Sequence, residues 1–304
     1  MESYPLVSVV VPCYNHETYI EACLESVANS DYNNIELVFI DDGSSDNSYN
    51  KAYEWLRLNG HLFSSYHIEK QQNQGICKTL NKLVANASGE YIIPLASDDM
   101  VTPTGVRLRV EALIQNPQWL AVFADAMSID EQGSIVERNI ETSHYGCNKQ
   151  MLAHIKYIAS ELILCWGTPG PVFCARSQAY VEIGLYNEEI FFEDRDYYLR
   201  IASVGKLGYI PDEVAFYRIH TSNTCRTSDN TIKMIQNYTY ALESNLKFFT
   251  GLNKKFLQLE YFLSKYQLKC SVTNSFLDKC IFLAMKASFK CCKHLNRLRF
   301  YAGA

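Results

Sequence analysis

No stretch of the 304 residues holds the ~20 consecutive apolar side chains that a membrane-spanning helix requires. The opening MESYPLVSVV has no basic patch ahead of its apolar run, which argues against a secretory signal and makes the cytoplasm the expected location. Pro (8) and Gly (14) are few and no segment is of low complexity, so a disordered or linker-rich chain is excluded. Cys-x-x-Cys pairs with zinc-site spacing are absent. The eleven cysteines therefore read as buried small hydrophobes of a reducing compartment, Cys291 and Cys292 excepted because they lie in a basic tail.

Acidic residues are scarce in one region. Residues 247–304 contain 11 Lys or Arg against Glu260 and Asp278, a net of +9, while the whole chain carries −5 and the remainder therefore −14. Such asymmetry points to a partner surface. The acidic body would oppose nucleic acid electrostatically, and none is expected as a partner.

What is present is a regular alternation of elements. Residues 7–12 form an apolar, β-branched run that reads as a buried strand. Residues 14–16 follow as a loop, and 19–27 recur on a helical period with Ile20, Cys23, Leu24 and Val27 on one face. Strand 35–40, helix 48–58, strand 63–69, a helix opening at Gln74-Gly75 and running to 87, and strand 91–95 complete a β-α-β-α-β-α-β order. That order predicts an α/β chain with a mostly parallel sheet covered by helices.

The second half is less regular. It reads as helix 104–114, strand 121–128, helical patches within 139–165, a Pro/Gly loop at 167–171 and a short strand at 172–175. Helix 193–204 and strands 207–210 and 215–219 follow, then helices 231–249, 254–268 and 277–298. The division expected is a body over 1–230 and a basic helical extension over 231–304.

Two β-rich stretches end in paired acids. ELVFIDDGSSD sets Asp41 and Asp42 at the mouth of a strand, and GEYIIPLASDD does the same for Asp98 and Asp99. Carboxylates at the carboxyl ends of parallel strands are where α/β proteins bind ligands and where hard cations find oxygen donors. Capping of the next helix is the plainer reading of each pair. Glu193-Asp194 opens a helix whose N–H groups favour carboxylates, so a capping pair is its plainer reading too. His220 reads as a polar strand-end residue and Trp166 as a buried indole or a sugar-stacking one.

Together with VSVVVPCYNHETYIEACLESV, these segments resemble the family 2 glycosyltransferases over about residues 6–220. The resemblance implies inverting enzymes of the GT-A fold, a Rossmann-like sheet flanked by helices, acting on a nucleotide-sugar donor, commonly a UDP-sugar, with Mn²⁺ or Mg²⁺. It implies a nucleotide-binding half over about 1–100 and an acceptor-binding half over 101–230. Pro12, Tyr14, Asn15, Asp41 and Asp42 would receive the nucleobase, with Gln74 and Gly75 beside the nucleotide and Asn81 further along that helix. Asp99 would hold the metal, with Asp98 assisting or facing the donor ribose. His220 would be a third ligand and Arg218 a phosphate contact. Asp194, with Glu193 as runner-up, would take the proton from the acceptor hydroxyl. Trp166, Gly170 and Glu193 would shape the acceptor site, and Arg200 would brace the acidic helix.

One departure bears on the metal. Where many relatives read Asp-x-Asp-Asp this chain reads Ala96-Ser97-Asp98-Asp99, which leaves open whether Asp98 or Asp99 holds the ion. A metal-dependent sugar-phosphate nucleotidyltransferase is the rival reading, but it calls for a glycine-rich basic loop near the first strand, and here that loop is PCYNHE.

In the tail, Phe282, Met285, Phe289, Cys292 and Leu295 can share one helical stripe among Lys279, Lys286, Lys290, Lys293 and Arg297. Such a helix suits an anionic membrane surface. Relatives that build O-antigens and capsules use undecaprenyl-diphosphate-linked acceptors, so a peripheral position on the inner face of a bacterial membrane is expected. The competing reading is an appendage packed on the body with solvated lysines.

Overall fold

The structure, a computed structural model, describes residues 4–168, 170–190, 193–221, 231–273 and 276–303. Strands β1 (Val7–Cys13), β2 (Ile35–Asp41), β3 (Ser65–Lys70) and β4 (Tyr91–Pro94) pair in parallel in the order β3-β2-β1-β4. Helices α1 (Ile20–Ala28), α2 (Ser48–Asn59) and α3 (Ile76–Asn86) make the crossovers. Because β1 and β2 are apolar at both parities, each feeds two cores. Val7, Val9 and Val11 pack with Ile20, Cys23 and Leu24 of α1 on one face. Val10, Val38 and Ile40 meet Cys77, Leu80 and Leu83 of α3 on the other.

The second half comprises β5 (Met100–Val101), α4 (Gly105–Gln115), β6 (Ala121–Ile129), β7 (Ile135–Glu137), α5 (Ile140–Ser143), α6 (Lys149–Leu152) and α7 (Ile155–Leu164). After it come β8 (Cys174–Arg176), α8 (Ser177–Glu182), α9 (Glu193–Ser203) and β9 (Leu207–Arg218). The sheet continues from β4 through β8, β6, β9 and β5, with β7 on β6. β8 runs antiparallel to both neighbours, so the sheet is mixed beyond β4.

The two strands expected at 207–210 and 215–219 form one strand, β9. Its residues Tyr209 and Glu213 lie opposite Phe123 and Asp125 of β6, so β9 spends four residues where β6 spends two. A bulge takes up Pro211, which has no N–H for the ladder. Strands β5 and β7, two and three residues long, carry no readable periodicity and were not expected from the sequence.

Helices α10 (Thr231–Asn245), α11 (Gly251–Thr273) and α12 (Phe276–Gly303) fold back on the body. Asn296 of α12 donates to Ser160 Oγ at 3.0 Å, and Arg297 reaches Glu161 Oε1 at 2.7 Å. This corrects the expected membrane stripe. Phe289 and Cys292 pack against the main core, and Lys293 lies 2.8 Å from Cys165 Sγ. The stripe shares its helix face with buried Asn296 and Phe300, so it is mostly the packed face, and only Leu295 of it is exposed.

Candidate active site

The site begins where two loops lock together at the carboxyl ends of β1 and β2. Asn15, at φ 56°, donates its N–H to Ser44 Oγ at 2.9 Å and accepts from Ser45 N at 2.8 Å. His16 N donates to Ser48 Oγ and Glu17 N to Asp46 Oδ2, at 2.9 and 3.0 Å. Gly43 turns the second loop at φ 81°, and a Cβ there would stand 2.7 Å from Asn73 N. Tyr14 is half exposed beside this zipper and Pro12 is half-buried.

Asp41 and Asp42 have separate tasks. Asp41 ends β2, accepts from Ser44 N at 2.9 Å and keeps Oδ2 buried without a partner. Asp42 accepts from Gln74 N and Gly75 N, both at 2.9 Å, and from Gln71 Nε2 at 2.8 Å. It thus satisfies orphan donors at the head of α3 from a distant loop. Gly75 itself, at φ 88°, occupies a conformation that an L side chain resists. Asn81, further along α3, bonds the N–H and the carbonyl of Tyr186, both within 3.0 Å, and Cys77 donates to Ile190 O at 3.1 Å. Helix α3 therefore also anchors the segment that leads towards α9.

At the exit of β4, Asp98 and Asp99 diverge. Asp98 Oδ2 lies 3.0 Å from His220 Nε2, and its Oδ1 lies 3.8 Å from His16 Nδ1. His16, Asp98 and His220 each offer one ligand atom, all within 4.8 Å of one another. Burial alone would raise the Asp98 pKa, yet the His220 hydrogen bond and nearby His16 hold it below the usual carboxylate range. Asp99 turns away from this group. Its Oδ1 accepts Arg218 N at 2.8 Å, and burial together with the Asp98 charge pushes its pKa well up. Arg218 donates Nε to Asp98 O at 2.8 Å and stacks over the Tyr19 ring at 4.9 Å, so it braces both acids.

The acids of α9 stand at its first turn. Both are half-buried. Burial, then the charge of Asp194, pushes Glu193 up to about 8. Burial also raises Asp194, against the N–H of Arg195, which donates to its Oδ1 at 2.6 Å. Arg195 is fully buried between the rings of Trp166 and Tyr238, each 4.9 Å away, and pairs with Glu260 at 2.6 Å. Trp166 is thereby held from behind while half-buried, and Gly170, exposed at the next turn, has open space around it. Arg200 pairs with Asp196 at 2.8 Å and caps the carbonyls of Ile183 and Leu185, the bracing role expected of it.

Sequence reasoning had not singled out His16, Tyr19 or Arg195. His16 sits in a loop where imidazole has no local signature. Its one signal was its place three residues after a strand end, in the PCYNHE loop. Arg195 adjoins Glu193-Asp194, and its importance depends on Trp166 and Glu260, which only the fold brings near.

Comparison with known proteins agrees with this fold. The family model for glycosyl transferase family 2 matches residues 8–176. Chondroitin synthase of Escherichia coli is 28% identical over 229 residues, 74% of this chain, and the match spans only 30% of that relative's length. Among solved structures, the TarS 1–349 fragment of S. aureus in complex with UDP-GlcNAc superposes with a TM-score of 0.66 at 16% identity, covering 94% of this chain and 81% of that one. A mannosyltransferase from Pyrobaculum calidifontis, in complex with GDP-Man and Mn²⁺, superposes with a TM-score of 0.64 at 18% identity, covering 99% and 85%. At these identities the two structures share the fold with this chain.

Proposed function

This chain belongs to glycosyl transferase family 2, and from that premise we propose that it moves a sugar from a nucleotide sugar, a UDP-sugar by preference, to a hydroxyl of a lipid-linked glycan in surface polysaccharide synthesis. The observation that carries the reading is Asp98 set between two imidazoles at the strand ends, in the same fold as paired acids at the head of α9. Support for a nucleotide-sugar donor comes from the bound UDP-GlcNAc and GDP-Man of the two structural neighbours. Polysaccharide synthesis is supported by the chondroitin synthase relative.

The donor set fits a divalent cation. Its three ligand atoms lie within 4.8 Å of one another, and two imidazoles with one carboxylate suit Mn²⁺ better than Mg²⁺, which prefers oxygen ligands. His16, Asp98 and His220 would hold it, with Asp99 keeping Arg218 and the β9 exit in place. A bound cation supplies charge neutralisation for a departing nucleoside diphosphate.

The protein's own residues do the rest. The nucleobase is received by Pro12, Tyr14 and Asn15 beside Asp41 and Asp42, and Gln74 and Gly75 are fixed next to it through Asp42. Glu193, with its pKa near 8, carries a proton at neutral pH and leaves Asp194 as the ionised partner. Asp194 takes the proton of the acceptor hydroxyl as that oxygen bonds to C1 and the bond from C1 to the diphosphate oxygen breaks. Direct displacement inverts C1, so an α-linked donor gives a β-linkage. Trp166, stiffened by Arg195, offers the acceptor sugar a flat apolar face. A lipid-linked acceptor places the protein on the inner membrane surface.

Calorimetric titration with UDP, dTDP and GDP, in Mn²⁺ or Mg²⁺, tests the reading. One nucleotide should bind with metal present, Mn²⁺ exceeding Mg²⁺, and Asp98→Ala should abolish the metal-dependent part. No metal-dependent binding of any of the three would sink it.

A further inference from the structure

The outward side of α12 carries side chains that the fold leaves uncovered. Phe276, Cys280, Leu283, Ala287, Cys291 and Leu298 recur at helical spacing and form a stripe opposite the face that packs on the body. Phe276 is 83% exposed, Leu277 68%, Leu283 62% and Leu298 50%. Val272, near the end of α11, adds 66% next to the start of α12. From Phe276 to Leu298 the stripe runs about 33 Å. Scattered exposed leucines need no explanation, but an apolar stripe of this length, interrupted on its line by exposed His294, does.

Charge identifies what covers it. Lys279, Lys286 and Lys290 line one flank, and exposed Arg299 lies toward the end of the other. The single acid of α12, Asp278, is buried and pairs with Lys269 at 2.7 Å. Among the described residues, the outward face of α12 therefore presents apolar groups and the cations Lys286 and Lys290, with no carboxylate of α12 among them. A second copy packed antiparallel about a two-fold axis would set these lysine rows near one another. An anionic bilayer accepts both parts at once, apolar side chains at the acyl boundary and lysines among lipid phosphates.

We propose that the outward face of α12, with the apolar α11–α12 end at Val272, Phe276 and Leu277, docks on an anionic lipid bilayer with the helix in the interface plane. The inference rests on the membrane-surface reading above and assigns it to the side opposite the stripe expected from sequence. Docking through this face leaves the packed contacts of Asn296 and Arg297 with α7 undisturbed.

The test is co-sedimentation of the full chain with phosphatidylcholine vesicles, with and without phosphatidylglycerol. It compares the wild type with Phe276→Glu/Leu283→Glu and with Lys279→Glu/Lys286→Glu/Lys290→Glu. Circular dichroism and nucleotide titration run alongside to establish that each variant is folded. Binding should require phosphatidylglycerol and weaken with salt, and each variant should bind roughly tenfold or more weakly with nucleotide affinity unchanged. Folded variants that bind as the wild type does would overturn this face. Absence of vesicle binding in a protein that still binds nucleotide would overturn the docking surface and leave sugar transfer standing. A dimer that these variants dissociate, without vesicle binding, would assign the stripe to self-association and overturn the proposal as well.

Discussion

Arg195, fully buried at the head of α9, places Nη2 2.6 Å from Glu260 Oε2 on α11. The pair joins the acidic turn of the body to the C-terminal helices, and Tyr238 of α10 donates its hydroxyl to the other Glu260 oxygen at 2.5 Å. Breaking a buried pair by removing one partner leaves an uncompensated charge and costs about 3–5 kcal/mol. Glu260→Ala should lower unfolding stability by that amount in a denaturant titration. It should also raise KM for the acceptor, because Trp166 loses the support of a fixed guanidinium. A variant as stable as the wild type would separate the helical extension from the site.

Asp42 is expected to act through α3. Asp42→Ala leaves Gln74 N and Gly75 N without their acceptor, a loss on the scale of a helix cap, about 1–2 kcal/mol. Nucleotide affinity should fall with it, while Asp42→Asn, which keeps one acceptor oxygen, should lose less of both. Thermal unfolding and nucleotide titration on the two variants check the order.

Glu193 gives a pH prediction with a definite sign. Its folded-state pKa, about 8, lies above the ordinary carboxylate value of 4.5, so the folded state binds more protons than the unfolded one between these values. Its contribution to stability is then fully present below about pH 4.5 and is lost as pH rises through about 8. Denaturation midpoints should decline across that window in the wild type and decline less in Glu193→Gln. The same variant should leave the acid limb of the kcat/KM profile, set by Asp194, in place, since Glu193 is already protonated and neutral across it. Asp194→Asn should cut kcat by roughly 10²–10⁴ with KM little changed. Equal losses in the two variants would contradict the division of roles.

His16 is expected to set metal preference. Mn²⁺ affinity of His16→Ala, followed by electron paramagnetic resonance, should fall by about tenfold or more, the scale on which even outer-shell changes act. Mg²⁺ should be affected less, because it depends mainly on the Asp98 carboxylate. Unchanged Mn²⁺ affinity would remove His16 from the ligand set.

The GT-A fold was legible in the sequence because its first half is written in continuous apolar runs for strands and period-3.6 patterns for helices, and β1, β2 and β4 fall within a residue of the expected bounds. Helix α3 opens at the Gln74-Gly75 signal for the same reason. The second half reads poorly where pairing overrides local preference. The strands expected at 207–210 and 215–219 are one strand with Pro211 in its bulge, and β5 exists only because β9 pairs with it. At the site, Asp98, His220, Glu193 and Asp194 were visible as types at strand and helix ends. The turning of Asp99 towards Arg218, and of His16 towards Asp98, follows from contacts across 119 and 82 residues that no local pattern encodes. In α12 both faces are apolar, so periodicity located the helix without saying which side packs.

The most direct test of the account is release of labelled sugar from UDP-, dTDP- and GDP-sugars with Mn²⁺, in the presence of lipid-linked bacterial glycans. The wild type should transfer sugar from one donor with inverted anomeric configuration, and Asp98→Ala and Asp194→Ala should each abolish transfer. Asp98→Ala should do so by losing metal-dependent donor binding, and Asp194→Ala with donor binding retained. Transfer that persists in both variants, or a product that keeps the donor's configuration, would contradict it.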